Sequence, residues 1–279
     1  MEGNHQILYR VKNGTILRLH HYNITEGEAR STDSYSLNMY AYPGNMKPQD
    51  NELRNRLNPE RLKIYTKKGK EITVKQFYES HVIYRDGEEI RRLKYLIDIP
   101  SRNINREIRS IQKESEKLNV EKFYPIGYEM HEQKYKFDGS NYFFSYIYAN
   151  MLKRNSETAH RIMNKKDSAF TNAWYKGAAD AQSRIEDPAL SIAQYIALKE
   201  KGELETALKD PNTFKEALNK IKIIDMNYEE YIDKEKEAML KKSRENQKTK
   251  PAPQKGRQVQ KEPIKKERKE KERDKGMSM

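Results

Sequence analysis

Over the first hundred residues apolar and polar positions alternate in short runs separated by turn residues, a period-two pattern that predicts strands. "ILYRVKNGTILRLHHY" places Asn13-Gly14 between two such runs. A two-residue hairpin turn needs positive φ at both central positions, and Asn-Gly tolerates this best. "RLKIYTKKGKEITVKQFYE" predicts a second hairpin around Lys68-Gly69, and "HVIYRDGEEIRRLKYLIDI" a third around Asp86-Gly87. Together these predict a small antiparallel sheet. Pro100 then ends the last strand and Ser101 caps a helix over 102–118, on which Ile104, Ile108, Ile111 and Leu118 form one stripe that covers a face of the sheet. "KFYPIGYEMHEQKYKF" returns to extended character and predicts a further strand.

From about residue 140 the pattern changes. "NYFFSYIYANMLKRN" is apolar almost all round, as in a helix buried on several sides. Two later helices open with Asp187-Pro188 and Asp210-Pro211, where Asp caps free amides and Pro at the first helical position loses no hydrogen bond. Phe214, Leu218, Ile221 and Ile224 trace a stripe on the second of them. The expected architecture is α+β. It comprises an antiparallel β-rich domain over 1–139 with its one covering helix, a helical subdomain over 140–240, and a disordered mixed-charge tail over 241–279 whose apolar content cannot offset its ordering entropy.

Charge sharpens that division. Of the formal charge of +13, residues 241–279 carry 15 Lys/Arg against 6 Asp/Glu, so most of the basic character belongs to the tail. A flexible basic arm releases counterions from phosphates without a folded site, which makes Lys265, Lys266, Arg268, Lys269, Lys271 and Arg273 candidates for nonspecific nucleic-acid contact. Interspersed Glu and Asp weaken that attraction, so a merely solubilising tail is the competing reading. On the body, Arg91, Arg92, Lys94 and Tyr95 in "RRLKYLI" interleave cations with an aromatic able to stack on bases. Nineteen tyrosines against seven phenylalanines suit such a surface, but they equally suit half-buried strand positions, the reading preferred here.

Cysteine is absent, which excludes disulfides, thiolate metal ligands and cysteine nucleophiles. The N-terminus has no signal-peptide pattern, and no apolar run approaches the roughly 18 residues of a membrane helix, so a cytoplasmic protein with no membrane partner is expected.

His20 and His21 invite a metal-site reading. Relaxase and rolling-circle replication enzymes set two histidines on one strand face by a His-apolar-His spacing. Adjacent residues on a strand point to opposite faces, so this pair cannot hold one metal between them. A relaxase-like nuclease using His20 or His21, Glu26 and a tyrosine is retained only as an alternative. His131 shares "YEMHEQ" with Glu129, on the same face if this is a strand, and His160 lies three residues after Glu157 on a helix; surface pairing explains both. No phosphate-binding, nucleophile-elbow or dinucleotide motif is present, and neither a metal nor a cofactor is expected.

The end of the tail, "KERDKGMSM", resembles in composition accessory and mobilisation proteins of bacterial conjugative elements. That resemblance implies a bacterial mobile-element setting and lends no catalytic residue. The expected function is that of a non-enzymatic accessory or adaptor protein near nucleic acid, with an unidentified protein partner. A purely protein-binding module without nucleic-acid affinity is the second alternative.

Overall fold

Asn13 and Gly14 both take positive φ, 52° and 70°, which matches the right-handed twist of the strands they join. The strands are β1 (Gln6–Lys12) and β2 (Thr15–His21), paired in antiparallel register from Gln6 opposite His21 to Lys12 opposite Thr15. The computed structural model describes residues 6–22, 37–40, 50–66, 69–117, 123–172 and 186–248. Residues 1–236 form one compact unit and residues 237–279 a second.

In chain order the described elements are β3 (Leu37–Tyr40), α1 (Asn51–Leu57), β4 (Lys63–Tyr65), β5 (Glu71–Thr73), α2 (Val74–His81), β6 (Val82–Asp86) and β7 (Glu89–Arg92). Next come a 3₁₀ turn (Lys94–Asp98), α3 (Ser101–Lys117), β8 (Phe123–Met130), β9 (Gln133–Lys136), α4 (Tyr142–Arg154) and α5 (Ser156–Asn164). The remainder are β10 (Ala169–Asn172), α6 (Pro188–Glu200), α7 (Leu204–Ala207), α8 (Pro211–Asn219), β11 (Ile223–Asn227) and α9 (Tyr228–Lys248). The class is α+β.

Among the described residues the strands form three sheets, ordered β11-β2-β1-β10-β3, β4-β5 and β7-β6-β8-β9. Where a single antiparallel sheet was expected, the five-stranded sheet is mixed: β11 lies parallel to β2. It also takes β10 and β11 from the helix-rich half of the chain. Ile224, expected on a helical stripe, lies in β11 because α8 stops at Asn219.

Both faces of that sheet are covered, and the alternation of β1 shows how. Ile7, Tyr9 and Val11 enter the main core, while Leu8 joins Leu17, Leu19, Tyr228, Tyr231 and Ile232 in a smaller core under the start of α9. The main core is built around α4, whose Phe143, Phe144, Tyr148, Ala149 and Leu152 are fully buried. Tyr128 and Phe143 stack there with ring centroids 4.0 Å apart. Asp187 and Asp210 cap α6 and α8 as expected, accepting from the amides of Leu190 and of Asn212 and Thr213. On α3, Ile104 and Ile111 are buried and Ile108 packs against the core; Leu118 lies outside the described residues.

Three predicted elements differ. The second arm of the Lys68-Gly69 hairpin is only Glu71–Thr73, and the chain then turns into α2. Thr73 accepts from the Gln76 amide while the Gln76 side chain accepts from the Thr73 amide at 2.9 Å. This reciprocal capping box outweighs the β-propensity of "TVKQFY". In the third hairpin β7 ends at Arg92 and the 3₁₀ turn replaces the rest of the strand. The last helix runs to Lys248 rather than fading at 240, and the tail from 249 onward, with Lys265 to Arg273, lies outside the described residues.

Candidate active site

The capping box decides which side chains of α2 meet the core. Lys75 and Glu79 lie one turn apart on the same face, and both are buried: the Lys75 side chain is 2% exposed and that of Glu79 4%. Lys75 Nζ donates to Glu79 Oε1 at 2.7 Å and to Glu186 Oε2 and Oε1 at 2.8 and 3.1 Å. The other oxygen of Glu79 accepts from the Tyr84 hydroxyl at 2.7 Å. Glu186 keeps 21% of its side chain exposed, so the cluster runs from the interior to the surface through that residue.

Two carboxylates thus converge on one ammonium in a low-dielectric site. Burial pushes the Glu79 carboxyl up; Lys75 opposes that rise, and the nearby Glu186 charge adds to it. Tyr84 is raised well above a free phenol, by burial first and then by Glu79, so it remains a hydrogen-bond donor.

The chain segment that carries Glu186 is held in place by its neighbour. Tyr9, in the middle of β1, donates to Asp187 Oδ2 at 2.9 Å, and Asp187 Oδ1 caps α6. Asn141 accepts from the Asp187 amide and donates to its carbonyl, both at 3.3 Å. Ser191 donates to that carbonyl at 2.7 Å. Sheet, α4 and α6 therefore all locate the residue next to Glu186. A carboxyl with a raised pKa, a second carboxylate reaching solvent and a lysine between them can carry acid–base chemistry on a bond whose leaving group needs a proton.

Residues 47–227 match the model of the DarT1-associated NADAR antitoxins. The chain belongs to that family. The family implies a protein or toxin partner, and the buried cluster lies within the matched span, as Lys75, Glu79, Tyr84 and Glu186 all do. The tail that resembles proteins of conjugative elements lies outside it. No curated protein matches the chain significantly.

The residues singled out from the sequence sit elsewhere. His20 and His21 occupy β2 and face opposite sides: His20 meets Asp225 at 2.8 Å, and His21 packs on the Tyr228 ring at 4.3 Å and approaches Glu229 at 3.5 Å. Glu26 lies outside the described residues. His131 is not on a strand; it begins the β8–β9 turn at φ 50°, so the face it was to share with Glu129 does not exist. Glu129 instead accepts from Arg92 at 2.8 Å and Lys94 at 2.9 Å. Glu157 pairs with Arg56 at 2.7 Å, not with His160. Arg91 pairs with Asp86 at 2.5 Å, and Tyr95 donates to Glu107 at 3.1 Å. The cations of "RRLKY" are thus largely neutralised within the fold.

Lys75 and Glu79 do not stand out in the sequence because the β-propensity of "TVKQFYE" predicts a strand there. The Thr-x-x-Gln signature of Thr73 and Gln76 was the available signal. Glu186 carried only the adjacent Asp-Pro helix start as a landmark.

Proposed function

We propose that this NADAR antitoxin neutralises its DarT1 partner system by hydrolysing a covalent product of the toxin, with the chemistry at Lys75, Glu79 and Glu186. The observation that carries this reading is the burial of Lys75 between two carboxylates. A buried ion pair is seldom more stabilising than apolar packing, whereas groups with perturbed pKa values gather where protons are transferred. Burial raises the Glu79 carboxyl while Lys75 keeps it paired, so the Lys75–Glu79 pair is the store from which the leaving group draws its proton. Glu186, reached by solvent, activates water or attacks directly, and Lys75 holds both carboxylates in register. Negative charge beside the reacting carbon suits a centre that becomes cationic, so a glycosidic bond is the first substrate class.

The test is co-expression with the cognate DarT1 toxin. Glu79→Gln keeps the shape and removes the proton transfer, so it should abolish rescue of growth while the purified variant melts as a folded protein. Rescue by a folded Glu79→Gln variant would overturn the hydrolytic reading.

A second reading is the non-enzymatic adaptor that binds a protein partner. What favours it is a solvent-facing row across β7, β6 and β8, where Ile90 (50% exposed), Arg85 and Tyr124 (45% exposed) stand opposite one another. In this reading the basic tail adds nonspecific nucleic-acid contact. Fluorescence anisotropy of the full chain and of a 1–248 truncation, on single-stranded DNA, duplex DNA and RNA over a salt series, tests it. Tail contact predicts binding whose affinity falls steeply with salt and which the truncation loses.

A further inference from the structure

On the side of α2 opposite Lys75 and Glu79 the fold leaves a groove. Phe77 is two residues from each of them, roughly 200° around the helix, and points away from the cluster. With Ile64 of β4 it makes one wall. The second wall is a stripe of α4: Tyr146, Ile147, Asn150, Met151 and Arg154. Met130 and His131, at the tip of the β8–β9 hairpin, close the third side. About 80 Å³ is accessible within it, so it is a small, half-open groove rather than a deep pocket.

Three features point to one chemistry. The floor is apolar and aromatic, which suits a flat ring. The charged or ionisable side chains that line it are Arg154 and His131, beside the amide of Asn150, and among the described residues neither Arg154 nor His131 has an ion-pair partner, whereas Lys94, Arg92 and Lys153 do. Finally, the hairpin turn that carries His131 is built at a cost. His131 and Glu132 hold φ of 50° and 65°, the two positions where Asn-Gly is favoured, and a side chain there costs on the order of 1 kcal/mol per residue. That strain puts an imidazole at the groove mouth.

We propose that this groove binds a small aromatic anion, its ring against Phe77, Tyr146 and Met151 and its carboxylate or phosphate at Arg154 and His131. The site is separate from the buried Lys75 cluster and does not depend on the hydrolytic reading. Carboxylate and phosphate monoester share the required chemistry, and the test distinguishes them.

The experiment is a methyl NMR titration of the full chain with 3-phenylpropionate, phenyl phosphate and the neutral 3-phenylpropionamide. Binding should shift the Ile64, Met130, Ile147 and Met151 methyls along one saturable curve. The anions should bind at least tenfold more tightly than the amide, and the tighter of the two names the anion class. Arg154→Gln, a substitution at an exposed residue, should bring the anions down to the affinity of the amide while the Leu8, Leu17 and Leu19 methyls stay in place. Equal affinity for acid and amide would leave only a greasy cleft and overturn the proposal. So would the absence of saturable shifts at these four methyls, or unchanged anion affinity in a folded Arg154→Gln variant.

Discussion

Replacing Lys75 with methionine tests the physical basis of the buried cluster without any substrate. Methionine keeps an unbranched stem of similar length, so what is removed is the ammonium that sits 2.7 Å from Glu79 Oε1. Breaking a buried pair by deleting one partner costs about 3–5 kcal/mol. The Tyr84 hydroxyl still donates to Glu79, and Glu186 is partly solvated, so the lower end of that range applies, about 3 kcal/mol at pH 7.5. The loss should depend on pH in a defined direction. Burial already raises the Glu79 carboxyl, and without Lys75 it rises further. A carboxyl whose folded pKa lies above its unfolded value of 4.5 takes up its proton first in the folded state. The variant therefore regains stability as pH falls from the folded value toward 4.5, by at most about 1.4 kcal/mol per pH unit. Urea denaturation followed by circular dichroism at pH 7.5 and 5.5, for the natural protein and Lys75→Met, reads this directly. Adding Glu79→Gln should recover much of the loss, because the unpaired charge is then gone. A Lys75→Met cost below about 1 kcal/mol at both pH values, by this scale, would refute the claim that Glu79 depends on Lys75 for its charge.

Two further outcomes follow from local geometry. Hydrogen bonds from Lys94 and Arg92 hold the Glu129 carboxyl down to about 2, so its contribution is present above its usual value of 4.5 and is lost as pH falls toward 2; Glu129→Gln should flatten the acid side of the stability–pH curve. Gly14→Ala should cost about 1–2 kcal/mol in urea denaturation, because a methyl at φ 70° is strained and would stand 2.8 Å from the Lys201 side chain; an unchanged midpoint would mean the turn is free to take another form.

How much of this was legible in the chain depends on the range of the interaction. Asn13-Gly14, Asp86-Gly87, Asp187-Pro188 and Asp210-Pro211 mark turns and helix starts through chemistry contained in two to four residues, and each sits where its composition implied. The stripe of Ile104, Ile108 and Ile111 likewise needed only a helical period. The strand placement of His20 and His21, and with it the separation of their side chains to opposite faces, followed from alternation alone. At "TVKQFYE" two local signals competed, β-propensity against a capping box, and the cap prevailed once α2 could bury Val74 and Tyr78 in the main core. No local pattern brings β11 alongside β2 some two hundred residues away, or Glu186 to Lys75 across 111 positions. Those pairings form because closing a long loop costs only slowly more with its length, while burying both faces of the central sheet gains with every apolar side chain covered. The sequence by itself determined the turns, helix starts and stripes that are coded within a few residues; only the tertiary structure decided that Lys75, Glu79 and Glu186 share one buried site, and that the cations of "RRLKY" are occupied by carboxylates of the same chain.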